Sequence, residues 1–516
     1  MNRLLRLAPV AVLLAAGAVV STGLASSSAA RGAPPPEFAE FAGQWPAHNL
    51  DLSNTRSTTA SPIDSSNVSK LAAKWRFKLT GTGAFGAFSS APIVLGNTVY
   101  LQDLSSNVYA LNRETGKVRW KHLFDSTSVG PNGVAYGYGM LFGATETKAF
   151  ALNPETGRLL WSRKLIRNGK EGIDMTPVVY DHTVLLSTIP GNAKTFYAGN
   201  GDGIVYALGV NTGKVKWTFN TIADGSRLWG NPKVNSGGGL WYPPAVDTSG
   251  RVFLTVANPA PFPGTTRYPN GSSRPGPNLY TDSIVALDGS TGKLLWFRQV
   301  VRHDIRDYDL QDSPIVGTIP VGGMPTEVVF AAGKMGRVVA FQAADGKRLW
   351  ETPVGRHLND TGLLAKKPKL VLPGELGGVE TPMAYDGSSL YVPVVNLGFR
   401  YTSSSVKPAS KAGLFGGTGQ LVALDPTTGG TRWTRTFTSA DYGAATVSHD
   451  VVFTSTLDGK IYALSTKDGS TLWSARAPAG VNAFPAIDGK LLLVGAAAPV
   501  KGIKHPSNEL VAYSLP

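Results

Sequence analysis

One short phrase recurs along the chain and constrains its fold more than any other feature. It reads Tyr-Ala-Leu-Asn-Arg-Glu-Thr-Gly-Lys-Val-Arg-Trp at residues 109–120, and close copies occupy residues 150–161 and 206–217. Looser copies end at Trp296, Trp350, Trp433 and Trp473. Each copy is an apolar strand, a turn and a second strand that ends in Trp. The phrase therefore predicts seven β-hairpins in an all-β chain.

Every copy of the phrase carries Gly at the same place in its turn. A tight hairpin needs a residue with positive φ, which Gly adopts without steric cost. The turn glycines are Gly116, Gly157, Gly213, Gly292, Gly346, Gly429 and Gly469. The high totals of 60 Gly and 35 Pro fit a fold with many turns.

An eighth, divided copy predicts how the chain closes. Trp75 lacks the first half of the phrase, and Leu-Val-Ala-Tyr at residues 510–513 supplies that half with nothing after it. If the two fragments pair, the last strand completes the blade begun by the first, and no free sheet edge remains. We therefore predict an all-β, eight-bladed β-propeller over residues 41–516, with four-stranded blades and a ring closed by the N- and C-terminal strands.

The N-terminus has the pattern of a secretory leader. Arg3 and Arg6 precede an apolar stretch from Leu7 to Val20, and small residues follow up to residue 30. We expect residues 1–30 to be a signal peptide, residues 31–40 a Pro-rich linker, and the protein to be secreted or held in the cell envelope. An uncleaved anchor is the alternative, and no other stretch is apolar enough to span a membrane.

Charge and Cys content exclude several classes of protein. The formal net charge is +14, or about +12 without the leader. Because Lys and Arg are scattered, we predict a basic exported protein that does not bind nucleic acid. The alternative is an acidic partner, such as nucleic acid or an anionic envelope polymer. The absence of Cys excludes disulfides and a covalent c-type haem site.

Two segments between the repeats could carry chemistry. Residues 302–312 hold four carboxylates beside one His, and in an extended segment Asp307 and Asp309 point to the same side. Such a pair can bind a hard cation or supply a general base. Residues 235–244 are Gly-rich and contain Trp241, and Asn258 ends the apolar strand that follows. The alternatives are a solvated acidic turn and an ordinary glycine turn.

These segments, with the order of residues 45–71, resemble the quinoprotein alcohol dehydrogenase family. The resemblance covers the chain from about residue 41 to its end. It implies an eight-bladed propeller that binds pyrroloquinoline quinone (PQQ) and a cation, Ca²⁺ or a lanthanide. The repeat phrase alone also occurs in non-catalytic propellers, including outer-membrane assembly lipoproteins.

The resemblance assigns residues to the cofactor. Trp241 corresponds to the Trp that stacks under the quinone ring, and Lys334 to the basic residue that hydrogen-bonds the quinone oxygens. Asn396 stands where a polar cofactor contact is expected. Asn132 stands where the family carries a carboxylate-binding Arg, and we assign it to the same site. The adjacent Cys pair of the family is absent.

The resemblance also assigns the catalytic base and the cation ligands. Asp307 corresponds to the catalytic base that also touches the cation, and Asp309 to the extra carboxylate of lanthanide-using members. Asn258 matches an Asn ligand of the family, and Asn192 replaces a Glu ligand. Arg306 replaces the Trp that precedes the base.

The sequence therefore favours an exported PQQ- and cation-dependent dehydrogenase. Its substrate is expected to be a small alcohol or polyol, and its electrons are expected to pass to an external acceptor. A non-catalytic propeller that serves as a binding or envelope-assembly scaffold is the alternative. A glycan-binding or glycan-cleaving propeller is a third hypothesis, based only on aromatic and carboxylate loops.

Overall fold

The computed structural model describes residues 32–193, 197, 199–500, 503 and 505–516. The leader predicted at residues 1–30 lies outside this range. The described chain is built almost entirely of strands, with one α-helical turn at Glu37–Glu40. Four short 3-10 turns occur at Val68–Lys70, Gly225–Gly230, Pro269–Gly271 and Gly413–Gly416. Over the described residues, no helix is long and apolar enough to cross a membrane.

Eight antiparallel sheets of four strands, here called sheets 1–8, form the body of the described chain. In sheets 1–4 the strands are Ile93–Leu95, Thr98–Gln102, Val108–Asn112 and Val118–His122; Ala135–Gly137, Met140–Ala144, Lys148–Leu152 and Leu159–Lys164; Val178–Tyr180, Thr183–Ser187, Ile204–Gly209 and Val215–Asn220; and Ala245–Val246, Arg251–Thr255, Ser283–Asp288 and Leu294–Gln299.

Sheets 5–8 follow the same order except at the last strand. Their strands are Ile315–Val321, Met324–Gly333, Arg337–Gln342 and Arg348–Pro353; Ala384–Tyr385, Leu390–Asn396, Thr418–Leu424 and Thr431–Phe437; Thr446–Ser448, Val451–Ser455, Lys460–Ser465 and Thr471–Arg476; and Ala486–Asp488, Leu491–Ala496, Glu509–Ser514 and Ala72–Lys78. Ser57–Thr58 adds a parallel fifth strand beside Thr446–Ser448 in sheet 7. The predicted pairing of the two chain ends is present, with Trp75 opposite Ala512 in sheet 8.

Two small sheets lie in the long connections. Ser236–Gly237 pairs with Pro259–Ala260. Lys369–Val371, Phe399–Thr402 and Ser405–Pro408 form a three-stranded sheet, here called the added sheet. Both lie in long connections between repeated Trp residues, and loops held by a rigid scaffold are where function is most often found.

The repeated Trp residues join each sheet to the next. A Cβ added at Gly116 would lie 2.5 Å from the Trp75 ring, so the turn glycine is needed for this packing as well as for its φ of +67°. The Trp75 indole also donates to the Arg113 carbonyl at 2.9 Å. Equivalent indole-to-carbonyl bonds run from Trp120 to Pro154, Trp161 to Val210, Trp217 to Gly289, Trp296 to Ala343, Trp350 to Pro426, Trp433 to Thr466 and Trp473 to Leu71.

The core lies within and between the inner strands. Thr183–Ser187 of sheet 3 and Leu491–Ala496 of sheet 8 are buried at every position, while the outermost strands keep several exposed side chains. A strand covered on both faces becomes apolar throughout, because both sets of alternating side chains leave water. This rigid body holds the loops that form the site.

Candidate functional site

Loops from most of the sheets meet around one cavity of about 230 Å³. Ser89 precedes sheet 1, Gly130 precedes sheet 2, and Trp241 precedes sheet 4. Lys334 comes from within sheet 5, and Glu380 from the connection between sheets 5 and 6. Residues far apart in sequence therefore face one enclosed space, as expected for a small-molecule site.

The glycine run before Trp241 allows its backbone to pass close to the neighbouring strand. Gly239 has φ +88°, and a Cβ there would lie 2.3 Å from the Thr188 carbonyl oxygen. The chain then turns so that Trp241 forms one wall of the cavity. A Cβ on Gly130 would lie 3.1 Å from the Trp241 ring, so that ring is closely covered on one side. Its indole nitrogen is buried and has no hydrogen-bond partner in the part of the chain that the structure describes.

Lys334 bridges the two carboxylates that the sequence analysis selected. It follows directly on the strand Met324–Gly333, and its backbone N–H donates to the Asp309 carbonyl at 3.0 Å. The side-chain nitrogen Nζ lies 2.7 Å from Oδ2 of Asp307 and 2.7 Å from Oδ2 of Asp309. All three side chains are more than 90% buried. The strand end is thus fastened to the acidic loop and carries its ammonium group between both carboxylates.

Asn258 completes this group from behind the cavity wall. Its backbone N–H donates to Oδ1 of Asp309 at 2.7 Å, and its side-chain oxygen accepts from the Tyr197 hydroxyl at 3.0 Å. Asn258, Asp307, Asp309 and Lys334 are hereafter called the carboxylate–lysine cluster. Over the residues that the structure describes, no group of three or more His, Asp or Glu is arranged to hold a metal. A cation here would therefore need the amide oxygen of Asn258 beside the two carboxylates.

Burial and charge act in opposite directions in the cluster. Burial raises the pKa of Asp307 well above its usual range, and the nearby Lys334 ammonium opposes that rise. Burial alone would lower the pKa of Lys334, but the carboxylates of Asp307 and Asp309 outweigh it and hold that pKa well above its ordinary value. Lys334 therefore stays charged and favours the ionised form of Asp307. Oδ1 of Asp307 is buried and has no hydrogen-bond partner among the described residues, so it remains available to a ligand.

Other predicted site residues lie apart from the cluster. Asn132 is buried next to the wall residues Gly130 and Pro131, and its side chain donates to the Asp103 carbonyl. Asn192 donates to the Gly169 carbonyl, and Asn396 accepts from the Arg356 backbone N–H at 2.8 Å. None of the three predicted residues lines the cavity itself. Their assignment to the cofactor or the cation stays a prediction.

The two other distinctive residues of the acidic segment have structural contacts. The Arg306 guanidinium donates to the carbonyls of Asn359, Thr361 and Gly362. Both ring nitrogens of His303 lie within 3.1 Å of backbone carbonyls. These contacts secure the loop that presents Asp307. Neither side chain lines the cavity.

Sequence reasoning missed the second acidic wall of the cavity. Glu375 and Glu380 line it from the connection between sheets 5 and 6, and Tyr442 lines it from the next connection. Glu380 accepts a hydrogen bond from Gln311 Nε2 at 2.9 Å, while its Oε1 is buried and unpaired. Glu375 and Glu380 stand in an irregular segment without periodic pattern, so only proximity in space relates them to Asp307.

Glu380 gives this protein a testable pH dependence. Burial raises its pKa from the ordinary 4.5 to about 7. Between these pH values the unfolded chain releases the proton that the folded chain keeps, so this group makes folding less favourable as pH rises, by about 3 kcal/mol. Glu380→Gln should remove that contribution. Urea unfolding of both proteins at pH 4.5 and 7.5 measures the difference, with the exposed Glu155→Gln as control. An unchanged difference between the two pH values would contradict the assignment.

The residues present fit PQQ and a hard cation. PQQ is a flat quinone, and the cavity offers the Trp241 ring as a flat wall and the Lys334 ammonium as a donor to oxygen. Hard cations take oxygen ligands, and Oδ1 of Asp307 is buried without a partner. Asp309 shares the Lys334 ammonium with Asp307, and the Asn258 backbone N–H donates to Asp309, so these residues are the further candidates for oxygen ligands. Ca²⁺ and lanthanides are both cations of this kind.

Comparison with known proteins agrees with this geometry. A family model described as "PQQ: Glucose/ethanol/alcohol dehydrogenase, beta-propeller domain" matches residues 45–139 and 163–356, more than half of the chain. A second model, described as "PQQ_2: Outer membrane protein assembly factor BamB", matches residues 334–515. The first match contains Trp241, Asn258, Asp307, Asp309 and Lys334.

Individual relatives span most of the chain. A quinohemoprotein alcohol dehydrogenase of Comamonas testosteroni is 26% identical, over 86% of this chain and 71% of its own. A polyvinylalcohol dehydrogenase of a Pseudomonas species is 27% identical, over 90% of this chain and 72% of its own. The solved structure of the Comamonas testosteroni enzyme superposes with a TM-score of 0.80 at 22% identity, over 93% of this chain and 81% of that one.

The superposition confirms the predicted all-β propeller fold, and the family match confirms the resemblance from which the site residues were selected. The chain belongs to the PQQ-dependent alcohol dehydrogenase-like β-propeller family and is an oxidoreductase of this kind.

Proposed function

We propose that the protein is an exported quinoprotein dehydrogenase that oxidises an alcohol or polyol and passes the electrons to an external acceptor. The observation that carries this proposal is the carboxylate–lysine cluster at the wall of the cavity that Trp241 bounds. A scaffold without a ligand would gain nothing from this arrangement. Two buried carboxylates, one of which keeps an oxygen without a hydrogen-bond partner among the described residues, lower the stability of the fold. Buried ionisable groups of this kind are expected at sites that bind a ligand or a substrate.

Each group has a role that follows from its position. Trp241 would support the quinone ring, and Lys334 would donate to its oxygens. Asn258, Asp307 and Asp309, with Asn192 as a more distant candidate, would hold Ca²⁺ or a lanthanide. Asn132 and Asn396 are further candidates for cofactor contact, although neither lines the cavity. Two carboxylates rather than one favour a cation of high charge.

A residue of the chain takes up the proton that the alcohol hydroxyl loses in the reaction. When bound, PQQ supplies the two-electron acceptor for the hydride that leaves the alcohol carbon. Oδ1 of Asp307 is the base that takes the hydroxyl proton of the alcohol. Lys334 holds Oδ2 of the same carboxylate and favours its ionised form. The buried Trp241 and Tyr242 limit water around the reacting atoms.

We also propose that sheets 1–8 are the eight blades of a closed ring that comprises residues 41–516. Two observations support the ring. The strands Ala72–Lys78 and Glu509–Ser514 pair in sheet 8. The Trp-to-carbonyl bonds form a series whose last member, Trp473 of sheet 7, donates to the Leu71 carbonyl, next to the strand Ala72–Lys78 of sheet 8. Residues 1–30 would direct export, and residues 31–40 would join that leader to the ring.

Reconstitution tests the activity. The protein is loaded with PQQ and either Ca²⁺ or La³⁺, binding is followed by absorbance and calorimetry, and dye reduction is measured with small alcohols, polyols and polyvinyl alcohol. We expect PQQ binding that requires the cation, and turnover with at least one alcohol. Asn258→Ala should weaken cation binding about tenfold or more, whereas the exposed Asn97→Ala should not. Absence of PQQ binding would reject the proposal.

A scaffold without catalysis is the second candidate. The match of residues 334–515 to the outer membrane protein assembly factor BamB model favours it. In that case the cavity would bind neither PQQ nor the cation, and Asp307 variants would leave the function of the protein unchanged. The reconstitution experiment separates the two candidates.

A further inference from the structure

The added sheet stands at one side of the cavity. Glu375 and Leu376 follow its first strand, Lys369–Val371, and Leu414 follows its third strand, Ser405–Pro408. All three of these residues line the cavity and are partly exposed, so they belong to its mouth. The added sheet therefore flanks the opening of the site, and its outer face, with Arg400 and Lys407, is exposed to solvent.

That face carries positive charge that no other part of the described chain neutralises. Arg400 and Lys407 lie directly opposite each other on neighbouring antiparallel strands, and both are exposed. The exposed Lys366, Lys367 and Lys411 flank the sheet, and the exposed Lys369 lies on its edge strand, where the register places it on the opposite face from Arg400. Among the described residues none of these six side chains forms an ion pair or a side-chain hydrogen bond. The six residues are called the basic rim.

The like charges of the basic rim lower the stability of the fold. Like charges directly opposite on antiparallel strands repel each other, and a carboxylate at either position would remove the repulsion. Elsewhere the chain uses such partners. Arg432 pairs with Asp425 on sheet 6, and Arg337 pairs with Glu351 on sheet 5. Among the described residues, no carboxylate forms such an ion pair with the basic rim.

The proposed function needs an acceptor at this mouth. Oxidation of one alcohol to a carbonyl compound releases two electrons and two protons. The protons pass to water, and the electrons must leave through a separate redox partner, because the sequence contains no Cys for a covalent c-type haem. A partner that receives electrons from the cavity has to dock near its opening.

We propose that the basic rim is the docking surface for an acidic electron-acceptor protein. The proposal rests on the proposed function for its redox role, and on the unpaired charges for the sign of the partner. Two molecules of a one-electron acceptor, or one of a two-electron acceptor, complete each turnover. Opposite charges steer such partners together and make the association rate fall as salt rises.

The experiment uses the PQQ- and cation-loaded protein with an acidic monohaem cytochrome c as the probe. The double variant Arg400→Glu/Lys407→Glu is compared with Lys117→Glu/Lys214→Glu, which changes the same number of exposed charges on the hairpin turns of sheets 1 and 3. Stopped-flow reduction at low salt should be at least tenfold slower for the rim variant only. Its salt dependence should be lost, and reduction of an uncharged dye should be unchanged.

Two further readouts separate this inference from the proposed function and from misfolding. Binding of the unloaded protein to the immobilised cytochrome requires no turnover, and it should be weakened at least tenfold by the rim variant even if PQQ chemistry fails. Arg400→Glu alone should keep or raise the melting temperature, because it places opposite charges across the strands. Equal losses in the two double variants, equal binding of a basic cytochrome c, or binding to anionic vesicles instead of the cytochrome would overturn the proposal.

Discussion

Replacing Asp307 by Asn should lower the turnover number of the loaded protein by about 10²–10⁴-fold, because the amide cannot accept the hydroxyl proton. PQQ binding should persist, since Asn keeps the size and an oxygen ligand. Asn is the suitable replacement because Asp307 has φ +66°, a conformation that Asn and Asp tolerate better than Ala. Steady-state dye reduction with saturating alcohol measures the effect, and PQQ absorbance measures loading.

Asp309→Asn provides the matched comparison. Asp309 touches the same Lys334 ammonium, but it is fully buried and does not line the cavity. Its loss should weaken cation binding, and excess cation should restore much of the turnover. If Asp307→Asn keeps more than about a tenth of the wild-type turnover number, or if excess cation rescues it equally, Asp307 is not the base.

Lys334→Met should have the largest effect on stability. It removes the ammonium that faces two buried carboxylates, and breaking a buried pair in this way costs about 3–5 kcal/mol. The pKa of Asp307, already raised by burial, would then rise further in the folded chain, so protonation relieves the cost at low pH. The loss in the free energy of unfolding should therefore be greater at pH 8 than at pH 5, as measured by urea unfolding.

Two controls show whether charge is the cause. Lys334→Arg keeps the charge and should lose less stability, while the exposed Lys366→Met should change the unfolding free energy by less than about 0.5 kcal/mol. Added Ca²⁺ should recover part of the stability of Lys334→Met, because a cation between the carboxylates replaces the missing charge. Equal destabilisation at both pH values, without recovery by Ca²⁺, would show that lost packing dominates.

Much of the fold could be predicted because its information is local and repeated. Each copy of the phrase contains its own strands, its turn glycine and its closing Trp. The divided copy at Trp75 also predicted a long-range pairing, that of Ala72–Lys78 with Glu509–Ser514. The added sheet was not predicted, since its three strands in residues 369–408 are short and have no counterpart in the repeat.

The candidate site could be predicted only in part. Asp307, Asp309, Asn258 and Trp241 stood out by residue type and spacing, and the family resemblance gave them roles. The structure places Lys334 between the two Asp and joins the Asn258 backbone N–H to Asp309. Glu380 could not be found in this way, because its importance depends on a burial and a neighbour, Gln311, that no local pattern specifies.

The sequence by itself determined the repeating hairpin, the all-β class and the identity of the residues with unusual chemistry. These follow from backbone sterics, from the alternation of strands and from residue type, all of which act over a few positions. Only the tertiary structure decided that Lys334 lies between two carboxylates 25 and 27 positions earlier, and that Arg400 and Lys407 lie opposite each other in a sheet whose flanking residues line the same cavity. Electrostatic interactions and desolvation depend on distance and burial in space, and neither can be read from the order of residues.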